Sequence, residues 1–346
     1  MSQVTLQSTN HQFNCTANQT VLEAAQDAYL ILPHSCRNGS CGSCKAKIVE
    51  GAVDYGVYQP ETLTEKEKTE GFALLCCAKP LSESLVVQVE SVRHASDKPV
   101  RKLPCRVETF EKAAPDVAIL QLKLPNNDKL DFWAGQYIDI LLRDGRRRSF
   151  SLANTPKNGD LLELHIRHIP GGFFTDTVFT TYKGKEIIRF EGPLGGFALN
   201  DSSDKPIICI AGGTGFAPIQ SMVEDSIDKG WTRPIILYWG ARSLVDLYRA
   251  ERASSWQQQH PHITFIPVLS EPKEQDDWKG RTGFVHKAVL EDFKDISGYE
   301  VYACGSPLMV DAARKEFTEQ AKLPSYAFFA DPFVLAAPAE TLAPNL

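Results

Sequence analysis

Four cysteines are spaced to hold iron and inorganic sulfide. Cys36, Cys41 and Cys44 follow the pattern C-x4-C-x2-C, and a further cysteine comes at Cys76 or Cys77. In this arrangement four thiolates bind the two irons of a 2Fe-2S cluster, a group that passes electrons one at a time. Gly39, Ser40, Gly42 and Ser43 stand between the ligands. Residues this small let the backbone fold tightly round a cluster and turn N–H groups toward its sulfurs. A zinc site is the competing reading, but zinc knuckles come as paired C-x2-C units and only Cys41–Cys44 forms one here.

Arg148-Ser149-Phe150-Ser151 carries what a flavin needs. Arg148 offers a guanidinium to a diphosphate, Phe150 a ring face, and Ser151 a hydroxyl to the reactive edge of the flavin. Composition alone would explain so short a motif as a basic hairpin end, so its company matters. Gly172-Phe173-Phe174-Thr175 can cradle phosphate with backbone N–H groups, and Glu191-Gly192-Pro193-Leu194-Gly195 reads as another glycine-rich turn. Further on, Gly212-Gly213-Thr214-Gly215-Phe216-Ala217-Pro218 follows an apolar run. These glycines let the backbone approach a second diphosphate, and Pro218 suits the first turn of a helix whose N-terminal dipole favours an anion. The dinucleotide fingerprint G-x-G-x-x-G is broken, because Pro218 stands in the third glycine's place.

The elements that must position these residues fall into three patterns. Val4 onward alternates as a half-buried strand, and Thr20-Val-Leu-Glu23 has the capping-box pattern that opens an amphipathic helix running to Leu30. Lys45–Glu50 and Leu85–Glu90 read as strands, with a short polar helix over Thr64–Gly71. Residues 93–103 break the periodicity with a proline and four basic side chains, and mark a linker. From Pro104 short strands with turn signals at Asp144-Gly145, Asn158-Gly159 and Gly171-Gly172 predict a small antiparallel barrel. From residue 201 apolar strands alternate with helical stretches, the pattern of an α/β parallel sheet. The expected division is 1–92, the linker 93–103, 104–200, 201–335, and an Ala- and Pro-rich tail at 336–346.

Composition narrows the function classes. The chain has 346 residues, 43 % of them hydrophobic and 23 % charged, as in ordinary globular proteins. A net charge of −6 argues against nucleic acid as a partner. No apolar run is long enough to span a membrane, and the N-terminus lacks the basic start and apolar core of a secretory signal. The remaining cysteines are scattered rather than arranged as a disulfide framework, so a cytoplasmic, reducing setting is expected. Residues 1–92 carry ten acidic and six basic side chains, which suits docking on a basic acceptor protein.

Taken in order, these motifs give the chain a resemblance over residues 1–333. The first part is similar to plant-type ferredoxins, in which the last ligand follows a Leu-x pair and precedes two small residues; this implies Cys76 rather than Cys77. Strand, G-G-T-G-x-x-P, helix after a barrel bearing R-x-F-S resembles the ferredoxin–NADP reductase-like family, in its ferredoxin-first branch. That branch includes the reductases of oxygenases and of a deoxysugar dehydrase. The resemblance implies a β-grasp 2Fe-2S domain, a FAD-binding antiparallel barrel and an α/β nucleotide domain. It assigns Arg148 to the FAD diphosphate, Phe150 and Ser151 to the flavin, and Gly172 and Thr175 to the diphosphate region. Gly213, Thr214, Gly215 and Pro218 would hold NADH or NADPH, with Cys304-Gly305-Ser306-Pro307 meeting the nicotinamide; Cys304 also reads as a plain buried strand-end residue. One of Phe328, Phe329 and Phe333 would face the flavin, unless all three are core. Arg242 and Ser243 can bind a 2′-phosphate, yet the stretch Asp246-Leu247-Tyr248 resembles NADH-linked members, so NADH is expected. The implied activity is hydride transfer from NAD(P)H to FAD, then single electrons through the cluster to an acceptor protein, most readily an oxygenase component, otherwise a dehydrase. A reductase of free flavin is the rival reading.

Overall fold

The computed structural model describes residues 1–7, 9–60, 62–89, 92–94 and 98–334; the expected tail 336–346 and Glu90 lie outside the described residues. The first unit is a five-stranded mixed sheet in the order Gln12–Cys15, Ser2–Leu6, Ser84–Gln88, Lys45–Glu50, Phe72–Leu74. Val4, Leu6, Leu85 and Val87 point inward, and the helix Val21–Asp27 covers them with Val21, Leu22, Ala24 and Ala25. Thr20 and Glu23 form the capping box, with Glu23 accepting from Thr20 N at 2.8 Å. The helix stops three residues short of Leu30: Tyr29 turns to φ +59, and Leu30–Ile31 pairs instead with Arg93–His94. The short helix Glu65–Thr69 forms as expected behind a Thr64–Glu67 capping box.

The second unit is an antiparallel barrel in the order Arg147–Ser151, Tyr137–Leu141, Ile187–Leu194, Arg101–Ala114, Val117–Lys123, Leu161–Arg167. A bridge between Leu152 and Leu164 joins the last strand to the first. Of residues 93–103, read as a linker, Arg93–His94 is a strand paired with the first unit, and Arg101, Lys102 and Leu103 already lie in a barrel strand. Glu191–Leu194 is not a turn: it ends the strand Ile187–Leu194, paired with Arg101–Arg106 on one side and Tyr137–Ile140 on the other. Pro193 is tolerated because the ladder with Tyr137–Ile140 shifts register there. Gly171-Gly172 leads into the helix Phe173–Thr181.

The third unit is an all-parallel sheet in the order Arg281–Thr282, Ile263–Leu269, Ile235–Ala241, Ile207–Gly212, Glu300–Gly305, Phe328–Pro332. The strand order reverses at Ile207–Gly212, so a crevice opens at the carboxyl ends of this strand and of Glu300–Gly305, where open α/β sheets take ligands. Both Gly212 and Gly305 stand at that edge.

Buried hydrogen bonds lock barrel to sheet. His165 Nε2 meets Glu163 Oε1 at 3.1 Å and His165 Nδ1 meets Tyr248 Oη at 2.9 Å, while Gln220 donates to Glu163 at 2.9 Å and to Ala153 O at 3.0 Å. Burial pushes the Glu163 carboxyl up, but the hydrogen bonds from His165 and Gln220 outweigh it and hold the carboxyl at about 2. A carboxyl depressed on folding stabilises above its ordinary value near 4.5, and that contribution fades as pH falls toward 2. Glu163→Gln is therefore expected to lower the thermal midpoint at pH 7 by several degrees, on the order of 3 kcal/mol at most. The gap to wild type closes between pH 4.5 and 2 in thermal melts across pH.

Candidate redox site

The cysteine loop presents two pairs of thiols. Cys36 lies within hydrogen-bonding contact of Cys41, and Cys44 within contact of Cys76. Among the described residues no three His, Cys, Asp or Glu side chains converge on one ion. Two pairs are what a two-iron cluster needs, with two thiolates on each iron. The Cys41 thiol pulls Cys36 down and the thiols of Cys44 and then Cys77 pull Cys76 down, while Cys41 and Cys44 are pushed up by the same contacts, so each pair shares a proton that binding iron would release. Backbone N–H groups of Asn38 and Ser40 face Cys36 sulfur, that of Gly39 faces Cys76, and that of Cys36 reaches Cys41 sulfur at 3.5 Å. The loop fits a 2Fe-2S group.

In the barrel, three consecutive arginines have different fates. Arg146 pairs with Asp144 at 2.6 Å and Arg147 pairs with Glu191, but Arg148 donates only to the Arg147 carbonyl at 2.8 Å and has no carboxylate partner among the described residues. Phe150 lies 5.4 Å from Phe174, ring to ring, which brings the strand Arg147–Ser151 against the first turn of the helix Phe173–Thr181. Ser151 is buried and its hydroxyl makes no hydrogen bond with described residues. Thr175 turns its hydroxyl back to Ile169 O at 3.0 Å, so a phosphate at Gly172 would meet backbone N–H groups instead. An unpaired guanidinium, a free hydroxyl and an open helix N-terminus fit a flavin nucleotide.

The cluster loop is tied to this place. Tyr137 pairs across the ladder with Ser151, and its hydroxyl donates to Ser35 O at 3.1 Å, one residue from Cys36. Arg37 reaches Asp139 at 3.1 Å, Ser43 donates to Ala330 O at 3.0 Å, and Ser35 donates to the Asp331 carboxylate. Burial pushes that carboxyl up to about 6.

At the crevice, Gly215 is required by contact: a Cβ there would lie 2.2 Å from Cys304 O. Gly213 accepts from Trp239 Nε1 at 3.0 Å, Thr214 is buried, and Pro218 occupies the first turn of the helix Phe216–Asp228. Cys304 is fully buried and donates to Asp331 O at 3.1 Å. Of the three C-terminal rings, Phe328 is buried in the core, Phe329 stacks on Tyr302 at 4.8 Å, and Phe333, half-buried against the core around Trp239, follows the strand end with its N–H bonded to Gly305 O at 2.7 Å. Ser243 gives both its N–H and its hydroxyl to Asp246, each at 3.0 Å, while Arg242 stays 64 % exposed.

Arg167 escaped the sequence reading. Its guanidinium crosses from the barrel to 2.9 Å from the Cβ position of Gly213, while its Nε side is ion-paired with Asp116 at 3.4 Å. Only its place at the end of a strand, in Leu164-His165-Ile166-Arg167, set it apart from other surface arginines. Tyr137, Ser35 and Asp331 were likewise silent, since their pairing joins residues up to 296 positions apart.

Comparison with known proteins agrees with this geometry. Residues 4–81 match the 2Fe-2S iron-sulfur cluster binding domain, 104–199 the oxidoreductase FAD-binding domain, and 209–315 the oxidoreductase NAD-binding domain. The chain is therefore an electron-transfer oxidoreductase that takes FAD, NAD(P)H and a 2Fe-2S cluster. More particularly, it belongs to the ferredoxin-first reductases of the ferredoxin–NADP reductase-like family. It is 40 % identical over 322 residues to the CDP-6-deoxy-L-threo-D-glycero-4-hexulose-3-dehydrase reductase of Yersinia pseudotuberculosis, covering 93 % of this chain and 95 % of that one. It is 36 % identical over 314 residues to the reductase component of phenol 2-monooxygenase from Pseudomonas sp. (strain CF600), covering 90 % and 88 %. The crystal structure of an Amycolatopsis cytochrome P450 reductase superposes with a TM-score of 0.76 at 32 % identity, over 97 % of this chain and all of that one. No helix among the described residues is long and apolar enough to cross a membrane.

Proposed function

We propose that this reductase moves electrons from NADH through FAD to the cluster and delivers them singly to an oxygenase component. The observation that carries the reading is the Tyr137 contact, which sets the cluster loop against the strand partner of Ser151. FAD, when bound, supplies the conversion of two electrons taken as hydride into two taken singly. The side chains do the rest. Arg148 holds the FAD diphosphate, Phe150 flanks the ring and Ser151 offers its free hydroxyl to the ring edge. Gly172 and the turn before Thr175 bind phosphate, and Phe333, at the end of the last strand, faces the flavin. Gly213, Thr214, Gly215 and Pro218 bind the nucleotide, with Arg167 adding charge, while Cys304 and Gly305 shape the nicotinamide end. Cys36, Cys41, Cys44 and Cys76 ligate the cluster. The Asp246 carboxylate already takes both Ser243 donors and disfavours a 2′-phosphate. Cys15, Cys77, Cys105, Cys209 and Cys304, outside the ligand set, form no disulfide framework, which supports a reducing, cytoplasmic setting.

Anaerobic titration with each nucleotide, followed by visible absorbance and low-temperature EPR, tests the sequence of transfer. NADH is expected to bleach the flavin and raise the EPR signal of a reduced 2Fe-2S cluster, with kcat/KM at least about tenfold above that for NADPH. Flavin bleaching with no cluster signal would overturn it. A dehydrase acceptor is the second reading, favoured by the 40 % identity to the Yersinia reductase. Reduction of a purified sugar dehydrase, but of no oxygenase, would select it.

A further inference from the structure

We propose that Cys77, which has no role once Cys76 ligates iron, tunes the cluster: its thiol donates a hydrogen bond to the Cys76 sulfur and raises the reduction potential. Cys77 Sγ lies 3.5 Å from Cys76 Sγ. Either thiol can donate in the metal-free protein, but a cysteine bound to iron has lost its proton, so the bond then runs from Cys77 to Cys76.

The place is built for this side chain. Cys77 is buried, its N–H donates to Leu74 O at 2.9 Å, and its carbonyl lies against Gly56, where a Cβ would come within 2.5 Å of it. Its sulfur lies against Gly39, where a Cβ would stand 2.8 Å from Sγ and 2.7 Å from Tyr58 Cβ. Gly39 also has φ +75, so no other residue suits it. The same Gly39 turns its N–H to the Cys76 sulfur. Cys76 thus receives donors from two sides, and Gly39 both supplies one and clears room for the other.

The effect follows from charge. Reduction adds one electron to the cluster, and much of that charge spreads onto the ligand sulfurs. A donor aimed at a ligand sulfur stabilises the reduced form more than the oxidised one, and the potential rises. Cys76 and Cys77 keep less than a tenth of their surface, so solvent only poorly replaces the bond when it is lost.

The inference rests on Cys76 being the fourth ligand, and the test separates the two. Full-length wild type, Cys77→Ala and Cys77→Ser are purified with FAD, assayed for iron and acid-labile sulfide, and titrated potentiometrically with EPR detection. All three are expected to hold two irons. The Cys77→Ala midpoint moves to more negative potential, and Cys77→Ser, whose hydroxyl keeps a donor, stays nearer wild type. Cys77→Val, which keeps the volume and drops the donor, repeats the test if alanine disturbs loading. A Cys77→Ala midpoint equal to wild type, or equal shifts in the alanine and serine variants, overturns the proposal. Loss of iron in the Cys77→Ala and Cys77→Val variants but not in Cys76→Ala would instead overturn the ligand assignment itself.

Discussion

Replacing Cys41 with serine is expected to abolish one-electron delivery to a ferredoxin-dependent acceptor, a loss of more than about 10²-fold, while NADH-driven reduction of ferricyanide stays within about twofold of wild type. The asymmetry follows from the way the chain is divided. Cys41 belongs to a loop on the core built around Val4, Leu6, Val21, Leu22 and Val87, whereas the flavin motif and the nucleotide loop stand on separate cores around Val107, Leu120 and Phe190, and around Ile207, Trp239 and Phe216. Losing a thiolate removes one of two ligands from an iron and leaves those other cores intact. Ferricyanide takes single electrons directly from a reduced flavin, so it reads the first half of the route alone. Visible spectra would show retained FAD with the cluster absorbance gone. An equal loss of both activities in a folded, FAD-loaded variant would mean that the cluster does not stand downstream of the flavin. Survival of acceptor reduction would favour the free-flavin reading.

Local chemistry was legible wherever one short segment carries the whole signal. The capping box at Thr20, the short polar helix after Thr64, and the strand–glycine–helix join at Gly212–Pro218 each sit within about ten residues, and each took the expected shape. What failed to show was decided by distant partners. Glu191–Leu194 has turn residues, yet two flanking strands hold it extended, because a ladder on both sides outweighs the preference of one glycine and one proline. Leu30 follows a helical pattern but pairs with His94. The same limit hid the site's long-range parts. Arg167 earns attention only when the barrel is set beside Gly213, and Tyr137 only when the first sheet is set beside the barrel. The different settings of the three C-terminal rings came from the sheet too, since burial of Phe328 and stacking of Phe329 on Tyr302 follow from the strand Phe328–Pro332.

The three arginines 146–148 give the sharpest test of the flavin site, because sequence makes them equivalent and structure does not. Arg146 is held by Asp144, whose carboxyl is in turn kept below its usual range by that guanidinium, and Arg147 is held by Glu191 with Asp139 nearby at 3.7 Å. Arg148 alone has its charge uncommitted, two strand positions from Phe150, whose ring meets the helix that follows Gly172. A guanidinium paired with a diphosphate makes charge-assisted hydrogen bonds, worth about 1.5–3 kcal/mol each, and two of them set the scale of the loss. Arg148→Ala is therefore expected to weaken FAD binding by about 10²–10³-fold, so that the protein leaves gel filtration colourless at the flavin bands but still brown with cluster. Arg146→Ala, which removes the pair with Asp144 and the contact of its guanidinium 5.0 Å over the exposed Phe173 ring but leaves the uncommitted charge of Arg148, is expected to change FAD affinity by less than about threefold. Flavin fluorescence on titrating apoprotein with FAD gives both constants. Equal effects of the two substitutions would show that the hairpin acts as a diffuse basic surface, and would take Arg148 out of the site. A large loss confined to Arg148, with cluster content unchanged, would place the diphosphate on that side chain and fix which end of the barrel the flavin enters.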